Sequence, residues 1–424
     1  MQTDISEIEI GSTKNVVGPK FSFQQTFAAL KYRNYRLWFW GQMISLFGSW
    51  MQTTALAFFV FELTHSPAYL GYVGFAGGIP AWLFTFYSGV ISDRYQRKKI
   101  LVATQLWMMF FAFLLAVLTF AKIIQPEMII VISFLLGVGN AFDATPRHAF
   151  VNELVDKEDL TNAIALNSTM FNTATAISPA IAGIIYALLG PAWCFMINGI
   201  SFLAVIFNLS RMNLIQREIS TEKKSVLNEI KEGFLYLKQN KLLLSIISVT
   251  SVLSLFGMGL VTLFPAWAVK ILHGDSTTNG FLQSARGVGA VLFALIIASI
   301  NKYIVRGKYL AASTVLLPLL LIIFSFTRTF VTSVLMLVII GGVIISMFNL
   351  SNGLIQTNVD EKYRGRILSF YTFSFFALFP LGSLWIGMLA EYFGTPTAII
   401  INSFILIPFG IFVWLFNHKL RNAK

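Results

Sequence analysis

The chain has 424 residues, 56% of them hydrophobic and only 12% charged, with a mean hydropathy of +0.72. A soluble domain carries about 25% charged residues, so this composition describes an integral membrane protein. A net charge of +12 would suit nucleic acid in a soluble chain, but here the basic residues fall in loops between apolar runs and act as topological anchors, which excludes that partner. The single Cys194 excludes an internal disulfide, and His65, His148, His273 and His418 are scattered without ligand spacing, so neither a metal site nor a cofactor is expected.

Met1 to Lys20 is polar and expected to be disordered. It holds no apolar h-region, so no cleavable signal peptide is expected and the first span is the insertion anchor. Phe21 to Arg36 mixes aromatic and basic residues and reads as an interfacial helix. Taking about 20 apolar residues per crossing, twelve spans follow: 37–63, 68–92, 100–121, 128–147, 162–188, 192–210, 242–267, 279–300, 309–327, 331–351, 367–391 and 396–416. Short, weakly charged connectors such as Thr64 to Pro67 and Gly190-Pro191 suit outer turns. Of the 31 Lys and Arg residues, 27 lie on the side of the loop after the second span, only Lys122, Lys270 and Arg328 lie opposite, and Arg286 falls inside a span. The positive-inside rule then places both termini and all the basic loops in the cytoplasm of an inner-membrane protein. The longest loop, Arg211 to Lys241, carries Val226, Leu227, Ile230, Phe234 and Leu237 at helical spacing and reads as an amphipathic helix on the inner membrane face.

An internal repeat follows from fixed offsets. Asp156, Gly183, Gly190 and Asn198 recur 204 positions later as Asp360, Gly387, Gly394 and Asn402. Gly71, Gly78, Arg97 and Lys99 recur 209 positions later as Gly280, Gly287, Arg306 and Lys308. The chain is therefore read as an all-α membrane protein with twelve transmembrane helices in two pseudo-symmetric six-helix bundles and a substrate site at their interface. Its parts are an N-terminal arm (1–36), a first bundle (37–210), a linker (211–241), a second bundle (242–416) and a tail (417–424).

Gly89 to Lys99 reads Gly-Val-Ile-Ser-Asp-Arg-Tyr-Gln-Arg-Lys-Lys. It resembles the signature loop between spans 2 and 3 of the major facilitator superfamily, with Gln96 where that family usually has a second glycine. Asp93 and Arg94 are expected to pair or cap across the turn, and Arg97, Lys98 and Lys99 to hold it at the membrane surface. The stretches Ala28 to Gln42, Asn140 to Arg147 and Val359 to Arg366 narrow the resemblance to the branch that holds the enterobactin exporter and macrolide efflux proteins, over residues 21–416. This resemblance implies alternating access by two rocking bundles, usually driven by proton antiport. It also implies a cytoplasmic gate of Gly89, Asp93, Arg94, Arg97, Asp143, Arg147, Arg364 and Arg366 that latches the outward-open state.

A charge inside a span costs at least about 2.5 to 3.5 kcal/mol, so Arg286 demands a partner or a function. It reads as a cavity cation that attracts an anionic substrate group, the alternative being a structural ion pair with Glu62 or Glu391. Gln42, Trp50, Gln52, Asn140, Asn172, Gln283 and Asn349 are candidates to line the cavity beside it, each with a helix–helix hydrogen bond as the competing role. Proton coupling needs a carboxylate that burial can bring toward neutrality. No acid sits mid-span, which leaves Asp143, Glu62 and Glu391 near span ends. In the fifth span, Ser178 and Ala174 stand where the antiporter motif of the resembling family has glycine.

No nucleophile elbow, metal motif, paired intramembrane carboxylates or phosphate loop is present, so an enzyme is not expected. The function expected is secondary active export of a medium-sized anionic or amphipathic compound, a siderophore or drug, by a monomer. The alternatives are a siderophore importer and a lysophospholipid-type flippase of the same fold.

Overall fold

A computed structural model describes residues 27–212, 226–300 and 305–423. The expectations for residues 1–26 and 213–225, and for the side chains of Val226 and Leu227, lie outside the described residues. The first half of the chain forms α1 (Arg33–Thr64), α2 (Pro67–Arg94), α3 (Arg97–Phe120), α4 (Pro126–Phe150), α5 (Leu160–Leu189) and α6 (Pro191–Ser210). A linker helix, α7 (Val226–Gln239), precedes the second half. That half consists of α8 (Lys241–Ile271), α9 (Ser276–Ile300), α10 (Arg306–Ser325), α11 (Phe330–Asn358), α12 (Arg364–Phe393) and α13 (Thr395–Phe416), followed by a short α14 (His418–Arg421). Eleven of these helices are long and apolar enough to cross a membrane, and α2, bent by 56° between Thr85 and Tyr87, makes the twelfth.

Local chemistry sets the ends of the helices. Pro67, Pro126 and Pro191 open α2, α4 and α6, where a missing N–H costs no hydrogen bond. Gly190 and Gly394, 204 positions apart, close α5 and α12 at φ +90° and +80°, a backbone region that a side chain would disfavour. Each half has its own apolar core. Phe59, Phe61, Leu115, Ile129 and Phe195 pack in the first, and Leu263, Trp267, Leu310, Phe324 and Leu337 in the second.

The structure adds detail to three expectations. The segment before the first span does not form a separate interfacial helix within its described part. Ala28–Lys31 is a single 3-10 turn leading into α1, where the Ala29 N–H donates to Asn162 Oδ1 at 3.0 Å and the buried Tyr35 hydroxyl donates to the Ala163 carbonyl at 2.8 Å. The linker helix packs against the second half. Leu237 is buried in the second core, the Tyr236 ring stacks on Tyr363 at 4.2 Å, and Glu232 pairs with Arg366 at 2.7 Å. The seventh span, expected as one helix over 242–267, runs to Ile271 and is irregular. It passes from α-helix into a π-turn at Leu253–Gly257, a 3-10 stretch at Met258–Leu263 and a second π-turn at Trp267–Ile271. Gly257, Gly259 and Pro265 favour that break, since two lack side chains and the third lacks an N–H.

Candidate functional site

The halves meet along two seams built from the repeated glycines. In one seam α2 lies against α12, and a methyl group on Gly387 would stand 2.9 Å from the Gly71 Cα. In the other, α5 lies against α9, and a methyl group on Gly280 would stand 3.1 Å from the Gly183 Cα. Further along, Gly78 meets the Pro380 ring, while a methyl on Gly287 would come within 2.7 Å of the Ala176 Cα. The four repeat positions thus pair across the interface as Gly71 with Gly387 and Gly280 with Gly183, a pseudo-twofold arrangement. Small residues let the backbones touch, which is how helices associate tightly in lipid.

Both seams lie toward the end opposite the basic loops. There the Ser66 hydroxyl and the Ala68 N–H of α2 donate to the Glu391 carboxylate of α12 at 2.7 and 3.3 Å, and the Ser276 hydroxyl donates to the Gly183 carbonyl at 3.1 Å. At the basic end the helices separate. A methyl group placed on Gly89 of α2 or on Gly365 of α12 would meet nothing within 4 Å, and Asp93, Arg94 and Arg364 are exposed. The ion pairs of Arg97 with Glu153 and of Arg147 with Asp143 stay inside the first half, and that of Arg366 with Glu232 reaches only the linker. The close backbone contacts between the halves are therefore concentrated toward the end opposite the basic loops.

The expected gate does not assemble in this state. Asp93 and Arg94 neither pair nor cap the turn, because both are exposed without a partner among the described residues. Arg97 instead donates to Glu153 at 2.6 Å and to the Ala149 carbonyl at 3.2 Å, inside the first half. Asp143 is buried, accepting from Thr104 at 2.9 Å and Gln105 at 3.0 Å while its second oxygen pairs with Arg147 at 3.3 Å. Arg366 is turned to Glu232 on the linker helix. Glu153 and Glu232 were missed in the sequence because nothing in their spacing marks them as partners of residues 56 and 134 positions away.

Arg286 is half-buried on α9, with its Nε buried and without a hydrogen-bond partner among the described residues. Neither acid expected to pair with it does so. Glu62 accepts from the Tyr186 hydroxyl, and Glu391 is engaged by Ser66 and Ala68. The structural ion pair is corrected on that ground. Gln283, one turn away, accepts from the Thr54 hydroxyl of α1 at 3.3 Å, a contact between the halves.

The other lining candidates divide. Gln52 is corrected to a packing residue, since its Oε1 accepts from Asn198 Nδ2 at 2.9 Å between α1 and α6. Gln42 is buried with its Oε1 unpartnered among the described residues, and Trp50 meets the Phe171 ring edge-on at 5.8 Å. Asn172 is half-buried, and Asn140 and Asn349 are exposed on α4 and α11. Asn279 was overlooked in the sequence, although its position seven residues before Arg286 puts it on the same helical face.

Two helical halves packed along paired glycine seams fit a membrane transporter of the major facilitator superfamily. Residues 24–424 match the transmembrane secretion effector family of that superfamily, and the chain belongs to it. It is 25% identical over 391 residues to the staphyloferrin A transporter of Staphylococcus aureus, covering 91% of this chain and 97% of that one. It is 22% identical over 389 residues to macrolide efflux protein A of Streptococcus pyogenes, covering 90% and 96%. Among solved structures, a bacterial homologue of the human lysosomal transporter Spinster, in an inward-facing and occupied conformation, superposes with a TM-score of 0.73 at 12% identity, covering 93% of this chain and 98% of that one. The chain is a multi-pass membrane transporter and not an enzyme.

Proposed function

We propose that this protein is a proton-coupled exporter of a medium-sized anionic or amphipathic compound, a siderophore or drug, that works by alternating access. The observation that carries the reading is Arg286, a half-buried guanidinium on a seam helix without an acidic partner among the described residues. A cation held there at a cost of at least about 2.5 to 3.5 kcal/mol is suited to a substrate that brings its own carboxylate, which guanidinium binds as a two-pronged fork. The names of its relatives, a staphyloferrin A transporter and a macrolide efflux protein, agree with solutes of that size.

With the positive-inside rule, the basic end is cytoplasmic and both termini lie in the cytoplasm of an inner membrane. The closed seams then face outward, and this state is open to the cytoplasm, ready to load an export substrate. Residues 37–210 and 242–416 act as the rocking units, the linker 211–241 joins them, and the protein works as a monomer. The carboxylate of Asp143 is filled by three donors of its own bundle, so Glu62 and Glu391 are the better proton carriers. In the opposite state Asp93, Arg94, Arg364 and Arg366 close the cytoplasmic gate.

The test is uptake into inside-out vesicles, with and without a pH gradient, of a carboxylate siderophore such as staphyloferrin A and of an uncharged amphipathic dye. Arg286→Gln is expected to cut siderophore uptake about 30-fold or more, the equivalent of about 2 kcal/mol lost from a buried charge contact. The uncharged dye should change less than about twofold on the same scale. Equal loss for both solutes would refute anion recognition, and gradient-independent uptake would refute proton coupling.

A further inference from the structure

The interior face of α9 holds more than one anion-seeking group. Asn279, Gln283 and Arg286 follow one another at i, i+4 and i+7, so they share a face of the helix. Thr54 of the opposite half donates to Gln283 Oε1 at 3.3 Å, which aims that face at α1. Gln283 Nε2 in turn donates to Asn279 Oδ1 at 3.4 Å. The chain of donations ends at Asn279 Nδ2, which has no acceptor among the described residues although Asn279 is fully buried, at 0% exposure. Arg286 Nε ends the row at the other side in the same condition. A buried donor left without an acceptor costs about 1 to 3 kcal/mol, and such groups in a working protein are satisfied in some other state or by some ligand.

We propose that this face is the exit track for the anionic group of the substrate, with Asn279 as a second subsite that receives it from Arg286 as the closed end opens. The inference rests on the export reading above and extends it. Every free group on the track is an N–H donor, so its ligand is acceptor-only, a carboxylate or a comparable oxyanion. The two subsites lie about 10 Å apart along the helix axis, with Asn279 nearer the closed end. Asn279 is sealed by the seam itself. Its neighbour Gly280 is packed on Gly183, and Ser276 holds the Gly183 carbonyl at 3.1 Å. Parting α5 from α9 breaks those contacts and separates Thr54 from Gln283, which frees both amides at the moment the outer path opens.

Cysteine reactivity tests the track without any choice of solute. Asn279→Cys and Gln283→Cys are made in the full-length protein, whose own Cys194 is buried. Right-side-out vesicles are treated with an anionic and a cationic methanethiosulfonate reagent. Both positions are expected to react while the transporter cycles, with the anionic reagent favoured by about tenfold over its preference in an Arg286→Gln background. A cysteine at 279 that reacts with neither reagent would overturn the proposal, as would a preference that Arg286→Gln leaves unchanged. Folding is controlled by the thermal melt of each variant in detergent, and Asn279→Leu is expected to lose about tenfold in turnover while binding from the cytoplasmic side is kept. A folded Asn279→Leu that loses no turnover also refutes the track. Failure of siderophore uptake in the unaltered protein would strike the export reading alone, because the thiol measurement does not depend on it.

Discussion

The first helix of each half should be alike, yet α1 runs unbroken for 32 residues while α8 passes through two π-turns and a 3-10 stretch. The contrast can be followed at a single contact, made by the repeated pair Asn198 and Asn402. Asn198 donates to the side chain of Gln52 at 2.9 Å, and its counterpart Asn402 meets Phe256 where Asn198 meets Gln52. Phenylalanine offers no acceptor, so the Asn402 amide takes the Phe256 backbone carbonyl instead. That carbonyl lies inside the Leu253–Gly257 π-turn, where the regular ladder is interrupted. The neighbouring helix has adjusted to the bulge. Gly382 of α12 rests on the Leu255 carbonyl, whereas its counterpart in α5, Ser178, is buried with its side chain. One exchanged polar side chain is thus accompanied by an exchanged helix geometry and an exchanged glycine.

The comparison can be broken most sharply at Gly382. Gly382→Ser recreates the first-half residue against the bulged helix, where even a Cβ has no room beside the Leu255 carbonyl. Overpacking of this kind costs about 1 to 3 kcal/mol and often more against rigid backbone, so the largest fall in thermal stability in detergent is expected here. Asn402→Ala comes next. It strips the Phe256 carbonyl and the Trp385 Nε1 donor of their partner, a loss of about 1 to 3 kcal/mol, read by the same melt. Asn198→Ala should matter least, at about 1 kcal/mol, because the freed Gln52 side chain can turn to another donor while a backbone carbonyl cannot. A melt in which Asn198→Ala is more damaging than Asn402→Ala would remove the explanation offered for the π-turn.

The two ends of the molecule teach a related lesson about charge. The closed end is held by backbone contact at glycines with a few hydrogen bonds across it, among them Ser66 and Ala68 on Glu391. The basic end has abundant charge, but pairs such as Arg97 with Glu153 and Arg366 with Glu232 stay within one half or reach the linker. Because those pairs do not bridge the halves, they do not hold that end shut, while close-packed backbones seal the other.

Much of this was legible in one dimension. Apolar run length determined the helices, and the constant offsets determined that Gly71 and Gly280, or Gly183 and Gly387, occupy equivalent places in two bundles. The charged residue inside a span singled out Arg286 for the same reason, since hydrocarbon tolerates no idle guanidinium. Partnership was decided only by tertiary structure. That Gln52 is consumed by Asn198, that Glu62 and Glu391 leave Arg286 alone, that Gln283 meets Thr54, and that α8 bends where α1 does not all depend on side chains brought together from more than a hundred residues apart or from facing helices. Periodicity reports which face of a helix is apolar, but a hydrogen bond is a matter of about 3 Å, and that precision arises only when the helices are packed.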